Sequence, residues 1–171
     1  KEVIQNEIEG LKKLKLSIGV SFEQIIKTIL NCKSGKVIVS GVGKSGIISK
    51  KWAATFSSTG TPSFFMDASN ASHGDMGQIE KKDILVVFSY SGNTSELNNM
   101  LKYANRYGIK IIGVASKPES ILLKASDVKL VLPKVKEADL TGIVPTSSTT
   151  ITLLLGDCMA TTVMHQKKFC Q

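Results

Sequence analysis

The sequence predicts an α/β sandwich, a parallel sheet covered by helices on both faces, and three observations carry that prediction. Five short apolar runs, Val37–Val39, Phe64–Met66, Ile84–Phe88, Ile109–Ala115 and Val128–Leu132, have the length and continuity of strands buried on both sides. The stretches between them have helical periodicity, and alternation of strand with helix is what a parallel sheet with crossover connections requires. Finally, 42% of the 171 residues are hydrophobic, enough for one core closed without disulfides or metal. A single domain over residues 1–171 is therefore expected, with residues 1–34 packing on it or on a partner subunit.

Taken in order, Val3, Ile4, Ile8, Leu11 and Leu14 recur at helical spacing and predict a first amphipathic helix. A second is predicted to start at Ser21, with Gln24 three residues on as in a capping box, and to bury Phe22, Ile25, Ile26 and Ile29. Helices are then expected over Ser45–Ser58, Thr94–Tyr107, Glu119–Ala125 and Thr149–His165.

The net charge of +8 attracts anions, so phosphorylated metabolites and nucleic acid both come into view. The lysines are scattered, without the aromatic-interleaved basic block that tracks a nucleic-acid strand, so nucleic acid is not the expected partner. Cys32, Cys158 and Cys170 are odd in number and widely spaced, which predicts neither a disulfide framework nor a zinc site and fits a reducing cytoplasm. No apolar run approaches the ~18 residues that span a bilayer, and Lys1–Gly10 is unlike a signal peptide.

Two loops have the chemistry of anion sites. The first strand runs into Gly41-Val42-Gly43-Lys44-Ser45-Gly46 and a helix, where glycines permit close approach, unpaired N–H groups point outward and Lys44 adds positive charge. The pattern also matches the dinucleotide fingerprint G-x-G-x-x-G, with Asp67 placed as a ribose-binding acid, so a nicotinamide-dependent oxidoreductase is a competing reading. A P-loop is excluded, because its first glycine falls on Ile38. The loop after the third strand, Ser89-Tyr90-Ser91-Gly92-Asn93-Thr94, sets three hydroxyls around a glycine at a helix start, a better match to a terminal phosphate. A cap by Thr94 or Asn93 would explain one such residue and not three. In a doubly wound 2-1-3-4-5 sheet both loops flank the switch point, where ligands bind.

On these residues the sequence resembles the sugar isomerase (SIS) domain, and within it the arabinose-5-phosphate isomerase family of Kdo biosynthesis. Gly41–Gly46, Ala53–Phe65, Ser72–Gly77, Ser89–Glu96 and Pro145–Thr150 carry the resemblance, which runs from about Lys36 to Phe169. It implies a three-layer αβα sandwich on a five-stranded parallel, flavodoxin-like sheet, and interconversion of ribulose 5-phosphate and arabinose 5-phosphate without cofactor or metal. It also implies a homodimer or homotetramer with sites near subunit interfaces. The family's phosphate contacts fall on Ser89, Ser91 and Thr94, with Ser45, Ser147 and Ser148 lining the same cleft. Its catalytic-site residues fall on Lys44, Glu96 and Glu137, with His73 near the site entrance.

Moving a carbonyl between C1 and C2 takes a base to shift a carbon-bound proton and a cation or donor to stabilise the enediolate, so these residue types suit the chemistry. Either Glu96 or Glu137 is expected as the base and Lys44 as the stabilising cation. Desolvation would raise a carboxylate's pKa and a close Lys44 would lower it. His73 is expected either to bond Asp75 within its loop or to reach a neighbouring subunit's site, and His165 is read as structural. Tyr90, Asn93 and Ile47 depart from the family's usual asparagine, glutamate and histidine. A further family histidine falls in a segment beyond Phe169, and many relatives carry C-terminal CBS modules that residues 1–171 do not contain. An isomerase of another sugar phosphate is one further alternative, and a phosphosugar-sensing module without catalysis is another, against which the retention of Lys44, Glu96 and Glu137 argues.

Overall fold

The computed structural model describes residues 1–139 and 141–169. Two helices, α1 (Glu2–Ser17) and α2 (Val20–Asn31), precede the alternation β1 (Val37–Gly41), α3 (Lys44–Ser58), β2 (Ser63–Asp67), β3 (Ile84–Phe88), α4 (Asn98–Tyr107), β4 (Lys110–Ala115), α5 (Ile121–Ala125), β5 (Val128–Val131) and α6 (Ser147–Gln166). The strands form one parallel sheet in the order β2-β1-β3-β4-β5, the doubly wound order expected. The order reverses between β1 and β3, so the loops leaving these strands open side by side.

Alternate strand residues feed two cores, as the period of two demands. Val39, Val86, Phe88, Ile112 and Val114 pack with Ile25, Trp52, Phe56, Leu155 and Met159 on one face. Ile38, Leu85, Val87 and Ile111 pack with Met100, Leu101, Leu122 and Leu123 on the other. The fully buried Trp52 of α3 stacks on Phe88 at 6.0 Å between ring centroids and donates its indole N–H to the Thr152 carbonyl of α6 at 3.0 Å. Gly156, one turn further along α6, leaves room for that indole.

Four helix starts differ from the sequence reading by two residues or more, and one of them is α6, which begins at Ser147 rather than Thr149. Gly19, not Ser21, precedes the first residue of α2, because the Glu23 amide already donates to the Gly19 carbonyl; Ser21 lies exposed within the first turn. The helix predicted from Thr94 opens as a separate 3-10 turn, Ser95–Leu97, before α4 begins at Asn98. Ser120 caps α5, its Oγ accepting the Leu123 amide, so that helix starts after Glu119. Cys32 and Cys158 are free, and Cys170 lies outside the described residues. Among the described residues no helix is long and apolar enough to cross a membrane.

Candidate active site

The loop from β1 to α3 is shaped by its glycines. Gly43 adopts φ 59°, and a Cβ on Gly46 would come within 2.9 Å of the Gly41 carbonyl oxygen, so helix and strand meet as closely as backbone permits. Lys44 and Ser45 form the first turn of α3, with their amides among those that no intrahelical carbonyl reaches. Lys44 is exposed and Ser45 half-buried, and both open onto a cleft of about 710 Å³ at the carboxyl edge of the sheet.

Glu137 lines the same cleft, together with Tyr90, Lys136, Ile143, Pro145, Ser148 and Thr149. Its Oε2 accepts the Thr146 amide at 2.8 Å, the Thr146 hydroxyl at 3.2 Å and the Ser148 amide at 3.2 Å. The carboxylate thus occupies the amino end of α6, where a negative charge meets unpaired N–H groups and the favourable end of the helix dipole. Burial pushes the Glu137 carboxyl up, but the hydrogen bonds from Ser148 and Thr146 together outweigh burial and hold it below its ordinary value. Desolvation therefore loses here to hydrogen bonding rather than to an ion pair with Lys44.

The second loop is a compact hydroxyl cluster. Ser89, 4% exposed, places its Oγ 2.8 Å from the Thr94 hydroxyl and accepts the Gly92 amide at 3.1 Å, while the Ser91 hydroxyl accepts the Asn93 amide at 3.3 Å. Gly92 has φ 68°, and a Cβ there would fall 2.3 Å from the Ser120 hydroxyl, so only glycine fits. Thr94 precedes the 3-10 turn without capping it, and Asn93 instead accepts the Ile121 amide at the start of α5. Tyr90, between these hydroxyls, forms the wall shared with the cleft.

Of the residues singled out from sequence, Lys44, Ser45, Glu137 and Ser148 meet in one cavity. Ser89, Ser91 and Thr94 cluster in the adjoining loop and are not among its lining residues. Glu96 is exposed in the turn before α4, where its own backbone N–H and the Ser95 hydroxyl, 2.8 Å away, hold its pKa below the ordinary value. Ser147 is fully buried against Gly10 of α1, with its hydroxyl unpartnered, and does not line the cleft. His73 ends a 3-10 turn, exposed; among the described residues Asp75 accepts Gln78 at 3.3 Å and no bond from His73. Asp67, weighed above as a ribose-binding acid, accepts the Ser69 amide two residues on, the bond of a local turn.

Sequence reasoning gave Tyr90 no role beyond a departure from a family pattern, noted Pro145 only as the start of a segment that carries the resemblance, and assigned nothing to Lys136 or Ile143. Tyr90 was within reach, because it directly follows the first residue beyond β3 in a loop already marked as a ligand site. Lys136, Ile143 and Pro145 come from a stretch of sequence without local periodicity, and only the fold brings them to the cleft. Among the described residues no group of three or more His, Cys, Asp or Glu side chains is disposed to hold a metal ion.

An ionised carboxylate, an ammonium and the first turn of a helix around one cavity can bind a phosphorylated, hydroxylated ligand and move a proton on it. The arabinose 5-phosphate isomerase KdsD of Francisella tularensis subsp. tularensis is 47% identical over 170 residues, 98% of this chain and 52% of that protein. The KdsD of Yersinia pestis is 43% identical over 171 residues, 100% of this chain and 52% of that protein. The chain spans about half the length of the curated relatives it matches. The structure of an E. coli CFT073 protein in complex with arabinose 5-phosphate has a TM-score of 0.96 at 38% identity, with 99% of this chain and 90% of that one covered. The SIS domain model matches residues 29–162, well over half of the sequence, and the chain belongs to the SIS domain family.

Proposed function

We propose that the chain is the isomerase unit of an arabinose 5-phosphate isomerase, a single SIS domain that interconverts D-ribulose 5-phosphate and D-arabinose 5-phosphate and supplies Kdo and lipopolysaccharide synthesis in the cytoplasm. The observation that carries this reading is that the Glu137 carboxylate, held ionised by Thr146 and Ser148, lines the same cleft as the Lys44 ammonium. Relatives named for this activity, and a similar structure holding arabinose 5-phosphate, support the choice of substrate.

In this proposal the phosphate is taken by the hydroxyls of Ser89, Ser91 and Thr94, with Ser45 and Ser148 facing it across the cleft. Glu137 removes the C1 proton of ribulose 5-phosphate, and the electron pair moves to O2 to give an enediolate that Lys44 stabilises. A proton passes from O1 to O2, and as O1 forms the C1 carbonyl, delivery of a proton to C2 by the protonated Glu137 leaves the aldose and restores the carboxylate. C1 is oxidised as C2 is reduced within one molecule, so the reaction needs no redox cofactor. Arabinose and ribose 5-phosphates are C2 epimers, so the proton must arrive on one face, which a carboxylate fixed by three hydrogen bonds can ensure. Glu96 takes no part in this scheme, and His73 is offered to the site of a neighbouring subunit in a homodimer or homotetramer.

The test is incubation of the full chain with ribulose 5-phosphate in deuterated water, followed by NMR. Arabinose 5-phosphate carrying deuterium at C2, formed without added cofactor, is the expected product. Saturable phosphosugar binding without turnover would replace the enzyme with a sensing module.

A further inference from the structure

Glu137 is carried by an irregular segment between β5 and α6, and that segment has no ladder to hold it. Leu132 is the last residue whose amide reaches a strand, donating to the Ala115 carbonyl at 2.8 Å. From residue 133 to 138, among the described residues, no backbone group bonds another backbone group; side chains hold them instead. The Tyr90 hydroxyl donates to the Pro133 carbonyl at 3.4 Å and accepts the Val135 amide at 3.1 Å. Lys13 donates to the Lys134 carbonyl at 3.3 Å, and the Ala138 amide donates to the Thr146 hydroxyl at 2.7 Å.

We propose that Tyr90 is a positioning residue, whose phenol grips the backbone at Pro133 and Val135 and so fixes where Glu137, two residues on, stands in the cleft. The inference rests on the isomerase reading for its catalytic consequence, not for the contact itself. Tyr90 is suited to the task because its own backbone is anchored. Its carbonyl accepts both the amide of Ser116, at 2.8 Å, and the hydroxyl of Ser116, at 2.7 Å, just beyond β4. Its ring packs against the core while its hydroxyl reaches past it. From the other side, Val135 is buttressed by α1, where a Cβ on Gly10 would lie 3.5 Å from its side chain. The segment is thus held between a phenol and a helix, with the carboxylate at its end. Burial, with the nearby Glu137 charge adding to it, pushes the phenol's pKa up and keeps the hydroxyl protonated, able to donate and accept together.

Tyr90→Phe keeps the ring and removes only the two bonds. On ribulose 5-phosphate, kcat is expected to fall about tenfold or more with KM changed by less than about threefold, since the substrate still binds while the base stands out of place. In the ligand-free protein, the carboxyl NMR titration of Glu137 is expected to move upward, toward the ordinary carboxylate range, as its bonds to Thr146 and Ser148 loosen. Unchanged kcat together with an unchanged Glu137 titration would overturn the proposal. Should the parent protein show no turnover, the isomerase reading fails, and the titration still decides whether Tyr90 holds Glu137. If the variant does not fold, amide exchange in the parent decides: Val135 is expected to be protected relative to Lys134 and Lys136, and equal exchange at all three would overturn the grip.

Discussion

Glu137 accepts the Thr146 amide at 2.8 Å, so the carboxylate lining the cleft is also the group that closes the amino end of α6. Because its pKa in the fold lies below the ordinary value, the stability it contributes is present above the ordinary carboxylate range and is lost as pH falls through the folded-state value. Glu137→Gln is therefore expected to be less stable than the parent at neutral pH, by about 1 kcal/mol as for other lost helix caps. Thermal melts from pH 7 to pH 3 should show the difference shrinking with acidification. A difference independent of pH would mean that the charge contributes nothing to the cap.

Ser89 and Thr94 share a hydroxyl–hydroxyl bond of 2.8 Å beneath the loop assigned to the phosphate. Ser89→Ala removes that bond and the acceptor for the Gly92 amide, so the loop loses both its shape and one ligand group. Binding of arabinose 5-phosphate, measured by calorimetry, should weaken about tenfold, the worth of one or two hydrogen bonds. Ser91→Ala, at an exposed position, leaves the loop's internal pair intact and should cost less. Equal or reversed losses would move the phosphate elsewhere in the cleft.

The sheet was legible because continuous apolar runs such as Ile84–Phe88 admit few alternatives, and the loops after β1 and β3 were legible because glycine and hydroxyl residues at a strand–helix junction have few other uses. The start of α2 was misread because Ser21 and Gln24 have capping-box spacing, yet Gly19 takes the chain into the helix two residues earlier. The cap weighed and set aside for Thr94 is not made, and its hydroxyl pairs with that of Ser89. Glu137 was identified only through a family pattern. Its partners lie nine and eleven residues away across an irregular loop, a separation at which no helical or strand periodicity operates. The grip of Tyr90 on Pro133 and Val135 was hidden for a similar reason, because those contacts lie more than forty residues along the chain.

Lys44→Met tests the cation. The side chain is exposed at the first turn of α3 and is not packed into the core, so the substitution should leave thermal stability almost unchanged. If Lys44 meets the enediolate oxygen, kcat should fall about 10²–10³-fold, as when an oxyanion donor is removed, with a much smaller change in KM. Matched losses in kcat/KM and in substrate affinity, with kcat preserved, would make Lys44 a binding residue only.

Trp52 and Gly156 make the contact on which α3 and α6 depend, and through them the relative placement of Lys44 and Ser148 at the two helix starts. A Cβ on Gly156 would lie 2.0 Å from the Trp52 indole nitrogen and 2.1 Å from a ring carbon, too close for either to stay. The indole is fully buried and bonded to Thr152, so it cannot swing into solvent, and the helices must separate instead. Gly156→Ala should therefore destabilise the protein by about 1–3 kcal/mol or more, despite alanine's better helix propensity. At this chain length that amounts to a Tm lower by about 2–4 °C for each kcal/mol. Gly77→Ala, where an added Cβ meets nothing within 4 Å, serves as the control and should melt with the parent. Separation of α3 from α6 would also widen the cleft, so turnover by Gly156→Ala, measured well below its Tm, should fall while that of Gly77→Ala does not. Parent-like melting of Gly156→Ala would show that the two helices are not held at this contact.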